Sequence, residues 1–172
     1  MTISSKMADA INKQINAEMY SAYMYLSMAA WFEKENLPGF AGWMKVQTQE
    51  EMAHAMKFYE YLLERQGVVK LAAIDGPPTD WKNPLNIFQD ALKHEQKVTA
   101  LINGLTDLAI AEKDHASQIF LQWFVTEQVE EEASADAIVQ KLKLMAGAPG
   151  GIFMLDKELA GRTFNPPAAA GD

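Results

Sequence analysis

The sequence predicts an all-α protein: a four-helix bundle with one long crossover between its second and third helices and a short fifth helix at the C-terminus. Three observations predict it. Apolar residues recur at helical spacing through four long segments that hold almost no Gly or Pro. Gly and Pro gather instead in a few breakers between those segments. One breaker is much longer than the rest. With 172 residues, 49% of them apolar, the chain is long enough to bury a core as one domain.

The first helix is expected at 5–35, ended by Leu37-Pro38-Gly39, and the second at 39–66. The stretch from Ile74-Asp75-Gly76-Pro77-Pro78 to Asn83-Pro84 sets these apart from a third helix at 84–112. Asp114 is an N-cap candidate for the fourth, at 115–146. Ala146-Gly147-Ala148-Pro149-Gly150-Gly151 then precedes a short helix at 152–161. The bundle domain is drawn as residues 1–164, and 165–172, with Asn165-Pro166-Pro167, as a frayed tail. Helices of about 30 residues are ~45 Å long. Residues 67–83 can span ~55 Å when extended, enough to run the length of the bundle and start the third helix parallel to the second. The short connections make antiparallel hairpins of the first and second helices, and of the third and fourth.

Lys and Arg number 15 against 23 Asp and Glu, a net charge of −8. That balance disfavours nucleic acid and anionic membranes as partners and suits a surface or cavity that collects cations. Cysteine is absent, which excludes disulfides, thiolate metal sites and cysteine nucleophiles. No apolar run reaches signal-peptide or membrane-span length, so a cytoplasmic location is expected.

Bundle helices bury positions spaced alternately three and four apart. The first stripe reads Ile11, Ile15, Glu18, Ala22, Tyr25, Ala29, Phe32; the second Phe40, Met44, Gln47, Glu51, His54, Phe58, Tyr61. The third reads Phe88, Leu92, Glu95, Thr99, Ile102, Thr106, and the fourth Leu121, Phe124, Gln128, Glu131, Ala135, Ile138, Leu142, Met145. Each apolar stripe is interrupted by a carboxylate near its middle, so the interruptions should meet at one height. Glu18 precedes Glu51 by 33 residues and His54 follows three later; Glu95 precedes Gln128 by the same 33 and Glu131 follows three later. The two hairpins are thus a pseudo-repeat in which Glu-x-x-His is replaced by Gln-x-x-Glu. Residues three apart on a helix are neighbours and can serve one ion or two adjacent ions.

A lone Glu-x-x-His is more often a solvated helix face than a ligand pair. Four carboxylates on four buried stripes are different. Burying one unpaired carboxylate costs several kcal/mol, and four together repel and take up protons. None of the stripes carries Lys or Arg. Two divalent cations would supply +4 against −4 from Glu18, Glu51, Glu95 and Glu131, with His54 neutral. His94 and His115 fall off the stripe or at a helix start, where surface positions are expected, and Trp31, Trp43 and Trp123 read as packing residues.

The segments INAEMYSAYMYLSMAAWF, EEMAHAMKF, HEQ and FLQWFVTEQVEEE resemble bacterial non-haem ferritins, and the resemblance runs from about residue 5 to 161. It includes every stripe carboxylate with its spacing. It implies a ferritin-like fold and a di-iron ferroxidase centre within the subunit. Glu18 and His54 would be ligands of the first iron and Glu51 the bridging carboxylate. Glu95 and Glu131 would hold the second iron, with Gln128 hydrogen-bonding nearby and Tyr25 beside the centre. Glu50, Glu127 and Glu130 would form a third iron site on the way to a cavity; each alone would otherwise read as an exposed acidic face.

Related families fit less well. Rubrerythrins add a cysteine-ligated iron domain, which a cysteine-free chain lacks. Bacterioferritins carry Glu-x-x-His in both halves and bind haem through a methionine between subunits. Met52 stands where such a methionine could, but the second half here ends in Glu131, and haem is not expected. The small DNA-protecting relatives have shorter chains and place their irons between subunits. The implied activity is oxidation of Fe(II) by O2 or peroxide, with ferric mineral stored in a hollow shell of 24 copies and the short helix near its four-fold axes. A haem-binding bacterioferritin-like protein and a non-catalytic metal-binding bundle are the alternatives.

Overall fold

The computed structural model describes residues 2–166. It contains five helices: α1 (Ser5–Lys34), α2 (Pro38–Glu64), α3 (Pro84–Ala111), α4 (His115–Leu144) and α5 (Gly151–Leu159). They match the expected order, with each C-terminal end one or two residues earlier than expected and α2 and α5 starting one residue earlier. Of the tail expected at 165–172, residues 167–172 lie outside the described residues. None of the described helices is long and apolar enough to cross a membrane.

Local chemistry starts three of the long helices. Ser4, Asn83 and Asp114 each accept from the backbone N–H three residues on, at 3.0, 2.9 and 3.1 Å. Pro84 adds a preset backbone angle at the start of α3. α2 differs. Leu37 offers no side-chain cap, and the carboxylate of Asp156 in α5 accepts instead from Gly39 N–H at 2.8 Å and Phe40 N–H at 3.0 Å. The cap is therefore tertiary. α5 comes so close that a Cβ on Gly39 would lie 1.7 Å from the Asp156 carbonyl oxygen, which is why this position needs glycine.

The crossover is laid along α1 in the direction of that helix. Asn12 donates to the Val68 carbonyl at 2.9 Å and accepts from Lys70 N–H at 2.6 Å. Asn16 donates to Ala73 at 3.0 Å and Ser27 to Pro78 at 2.6 Å. These contacts carry the chain back to the starting end of α2, where Phe32, Phe40 and Phe88 pack together, Phe32 and Phe40 stacked with centroids 5.0 Å apart. α3 thus runs parallel to α2.

The core has two apolar parts. One joins Phe32, Phe40, Phe88, Ile138 and Leu142 with Leu155 and Leu159 of α5. The other joins Ile11, Ile15, Phe58, Leu62, Ile102, Leu121 and Phe124. A belt of buried polar side chains lies among them: Gln14, Glu18, Gln47, Glu51, His54, Glu95, Gln128 and Glu131. The expected stripes of α1, α2 and α4 are buried apart from Met145. On α3, Leu92, Thr99 and Thr106 are only half-buried, and the inner face also uses Ala91, Val98, Leu105 and Ala109.

Candidate metal centre

Each long helix brings a carboxylate to the belt from its inner face. Glu18, Glu51, His54 and Glu95 are 1–2% exposed and Glu131 6%. One oxygen each from Glu18 and Glu51 and one ring nitrogen of His54 lie within 4.8 Å of one another. His54, Glu127 and Glu131 form a second group at the same spacing, so the imidazole belongs to both. Its Nδ1 is 3.6 Å from Glu51 Oε2 and its Nε2 3.9 Å from Glu127 Oε1. The ring is held edge-on by Trp123, centroids 5.4 Å apart, and by Phe124.

The belt is short of hydrogen-bond donors. Glu18 Oε2 and Glu51 Oε1 are buried without a partner, as is Gln47 Oε1. No Lys or Arg is among the described residues that are buried. Orphaned buried acceptors are costly, and several aimed into one space favour a cation there. Four of the other carboxylate oxygens have partners. Gln14 donates to Glu18 Oε1 at 2.9 Å, and Gln47 to Glu131 Oε2 at 2.7 Å. Gln128 donates to Glu95 Oε2 at 3.2 Å, and Tyr25 Oη donates to Glu95 Oε1. Glu95 therefore stands outside both three-residue groups, with both oxygens engaged.

Without a cation, burial shifts the carboxyls toward their protonated forms. Burial, then the charges of Glu95, Glu18 and Glu131, pushes Glu51 well above the ordinary glutamate range. Glu131 is pushed up to about 8, by burial and then by Glu95. Burial raises Glu18 and Glu95 as well, against the pull of their hydrogen bonds. Burial and the surrounding carboxylates, Glu95 first, raise the Tyr25 phenol, so it stays protonated beside Glu95.

Of the three residues expected at a third position, Glu127 faces His54, Glu130 is exposed, and Glu50, near enough to feel the charges of His54 and Glu127, is 2.5 Å from the guanidinium of Arg162. Met52 is exposed on the outer side of α2. His94, expected at the surface, is half-buried; its Nε2 lies 2.7 Å from Ser21 Oγ, and burial followed by Lys97 lowers its pKa to about 4.

Sequence reasoning did not single out several supporting residues. Gln14 carried a readable signal, because it sits four residues before Glu18 on the same face. Gln47 was on the stripe, but its reach across to α4 has no local mark. A further polar row leads outward from Glu95: Gln128 also bonds Thr99 Oγ1 at 3.3 Å, and Thr99 donates to Glu132 Oε1 at 2.5 Å. These three residues line a cavity of about 340 Å³ together with Ile102, Asn103, Val125 and Val129.

The family model for the ferritin-like domain matches residues 8–145. The chain is 50% identical over 160 residues to the bacterial non-heme ferritin of Bacteroides fragilis, covering 93% of this chain and 99% of that protein. It is 36% identical over 163 residues to the bacterial non-heme ferritin of Staphylococcus aureus, covering 95% and 98%. Among solved structures it is similar to an engineered closed form of the Archaeoglobus fulgidus ferritin, at 52% identity and a TM-score of 0.94, over 95% of this chain and all of that one. A humanized archaeal ferritin gives 50% identity and a TM-score of 0.95, over 96% and 100%.

Proposed function

This chain belongs to the ferritin-like family, and from that premise we propose that it is an iron-storage subunit that takes Fe(II) as substrate and oxidises it with O2 at the buried centre. The observation that carries the proposal is the pair of unpartnered buried oxygens, Glu18 Oε2 and Glu51 Oε1, grouped with His54 where no buried Lys or Arg offsets their charge. Mostly oxygen donors with one imidazole suit iron and favour its ferric state. Glu18 and His54 would bind the first Fe(II), Glu51 would bridge, and Glu95 and Glu131 would bind the second, with Gln128 beside them.

Loading two Fe(II) favours the ionised carboxylates and so displaces protons from carboxyls whose pKa values burial raises. Each Fe(II) gives one electron to O2, which with two protons leaves as hydrogen peroxide. Tyr25 keeps its proton on the phenol oxygen and orients Glu95 through it. Glu127, which faces His54 and is only partly buried, is the first outward carboxylate for Fe(III) leaving the centre. Glu130 and Glu50 would complete that third position.

Storage needs an enclosed space, and we assign the chain to a homo-oligomeric shell, of 24 copies as the family resemblance implies, in the cytoplasm. The single chain leaves Tyr23, Leu26, Met52, Met56 and Leu63 exposed on α1 and α2, and Phe153 and Met154 on α5. Such apolar faces support burial against further copies.

The test is anaerobic titration of the metal-free protein with Fe(II), then measurement of O2 uptake. The expected result is two Fe(II) bound per chain and one O2 consumed per two Fe(II). Binding without O2 uptake would favour a non-catalytic metal-binding bundle. Elution at the size of a 19.2 kDa monomer would remove the shell while leaving the centre standing.

A further inference from the structure

Past the end of α5, Arg162 turns its side chain onto α2. Its Nη2 lies 2.5 Å from Glu50 Oε2, and its guanidinium sits over the Trp43 ring, 4.3 Å from the centroid. Its Nη1 is buried with no hydrogen-bond partner. One ion pair and one aromatic face hold the charged group, and one of its donors is unused. The segment that carries it is well anchored. Asp156 caps α2, Leu155 and Leu159 are buried in the core, Lys141 pairs with Glu158 at 2.5 Å, and Arg162 N–H continues the helix to the Leu159 carbonyl at 3.2 Å.

We propose that Arg162 is a built-in cation that holds Glu50 away from metal, so that a third metal ion binds beside the di-iron centre only when the guanidinium is displaced. The proposal rests on the di-iron reading and adds a specificity-determining residue to it. Glu50 is adjacent in sequence to Glu51, yet points away from the centre because successive helical residues are about 100° apart. One of its two oxygens is taken by an arginine that cannot lose its charge. A divalent ion reaching Glu50 and Glu127 would meet both a missing ligand and a like charge in contact. The α5 segment would thereby regulate passage out of the centre, although it contributes nothing to the centre itself. Loosening α5 at Asp156 and loading the third position are then linked events.

The experiment is calorimetric titration of the assembled, metal-free, full-length protein with Zn(II), which binds without redox chemistry. The variants are Arg162→Gln, Arg162→Met, Arg162→Lys, and Arg162→Gln combined with Glu50→Gln. Methionine keeps an unbranched apolar stem over Trp43 and removes the charge, so it reports on charge even if glutamine disturbs docking of the segment. The parent should bind two Zn(II) per chain tightly and a third weakly. Arg162→Gln and Arg162→Met should each tighten the third equivalent by about tenfold or more, the effect of about 1.4 kcal/mol. Arg162→Lys should stay with the parent, and the added Glu50→Gln should abolish the gain.

An unchanged third equivalent in both charge-removing variants overturns the proposal. So does a gain that survives Glu50→Gln. A residue that only anchored the tail would weaken assembly without tightening any metal site. The di-iron reading fails separately, if Glu51→Ala leaves the first two equivalents intact.

Discussion

The two hairpins offer the same backbone positions to the centre and very different chemistry. In the α1–α2 half, Glu18 and Glu51 each present an unpartnered oxygen beside His54, and all three side chains are sealed from solvent. In the α3–α4 half, both oxygens of Glu95 are already bonded, by Tyr25 and Gln128, and Oε2 of Glu131 is bonded by Gln47. That half also opens through Gln128 and Thr99 onto the cavity bounded by Glu132. Glu18 Oε2 and Glu51 Oε1 can take a cation without losing a protein hydrogen bond, whereas Glu95 must give one up. The repeat preserves spacing, and the exchange of Glu-x-x-His for Gln-x-x-Glu makes the two sites unequal.

The strongest way to break this comparison is Glu51→Ala. In the bridging role proposed for it, Glu51 would serve both halves, so Fe(II) oxidation should fall by more than ~100-fold, beyond the range that supporting residues cost. Glu18→Ala and His54→Ala should slow it strongly but less. Oxidation at the parent rate in Glu51→Ala, followed by stopped-flow absorbance, would show that the centre lies elsewhere.

Proton linkage gives the next effect. Glu18, Glu51, Glu95 and Glu131 all have folded-state pKa values raised above the ordinary 4.5, Glu131 to about 8. Between those values the folded, metal-free protein binds more protons than the unfolded chain, so its stability falls as pH rises. The thermal midpoint of metal-free protein should therefore drop from about pH 6.5 to about pH 8, above the range in which His94, lowered to about 4, works in the opposite sense. Zn(II) should shrink that drop and release protons as it binds. A midpoint that rises over this window would mean that the carboxyls are ionised in the folded state.

Much of this asymmetry is legible in the sequence itself. The helices fell within about two residues of their expected ends because Gly and Pro mark the breaks. The belt was legible because four stripes were interrupted at matched spacing. Contacts between distant segments were not. Asp156 caps α2 across 117 residues and Arg162 reaches Glu50 across 112, and neither pairing leaves a trace in local pattern. The inner face of α3 was misread in part because Ala91 and Ala109 are too small to dominate a stripe, while Leu92, Thr99 and Thr106 drew it to one side. The same shift hid Thr99 as a link between Gln128 and Glu132.

Making the halves alike should sharpen the comparison. Gln128→Glu with Glu131→His restores Glu-x-x-His in both hairpins and provides a second bridging carboxylate. The double variant should retain its iron pair after oxidation and desalting, where the parent should lose it, and it should mineralise more slowly by roughly tenfold, in line with one strong ligand interaction. If it passes iron to mineral as fast as the parent, asymmetry does not cause release.

The smallest effect should come from Thr99→Val, which tests whether the second half is held back by its own hydrogen bonds. Valine keeps the shape of threonine and removes the hydroxyl that accepts from Gln128 at 3.3 Å and donates to Glu132 at 2.5 Å. Gln128 then keeps only its bonds to Glu95 and can be turned aside more easily by an arriving cation. A hydrogen bond contributes about 1 kcal/mol net, so the second Zn(II) equivalent should bind tighter by no more than ~5-fold. The first equivalent should not move, because Glu18, Glu51 and His54 share no partner with Thr99 among the hydrogen bonds of the belt. Were both equivalents to tighten together, the hairpins would be coupled through the belt as a whole. Their difference would then come from charge shared across four helices rather than from which oxygens are already bonded.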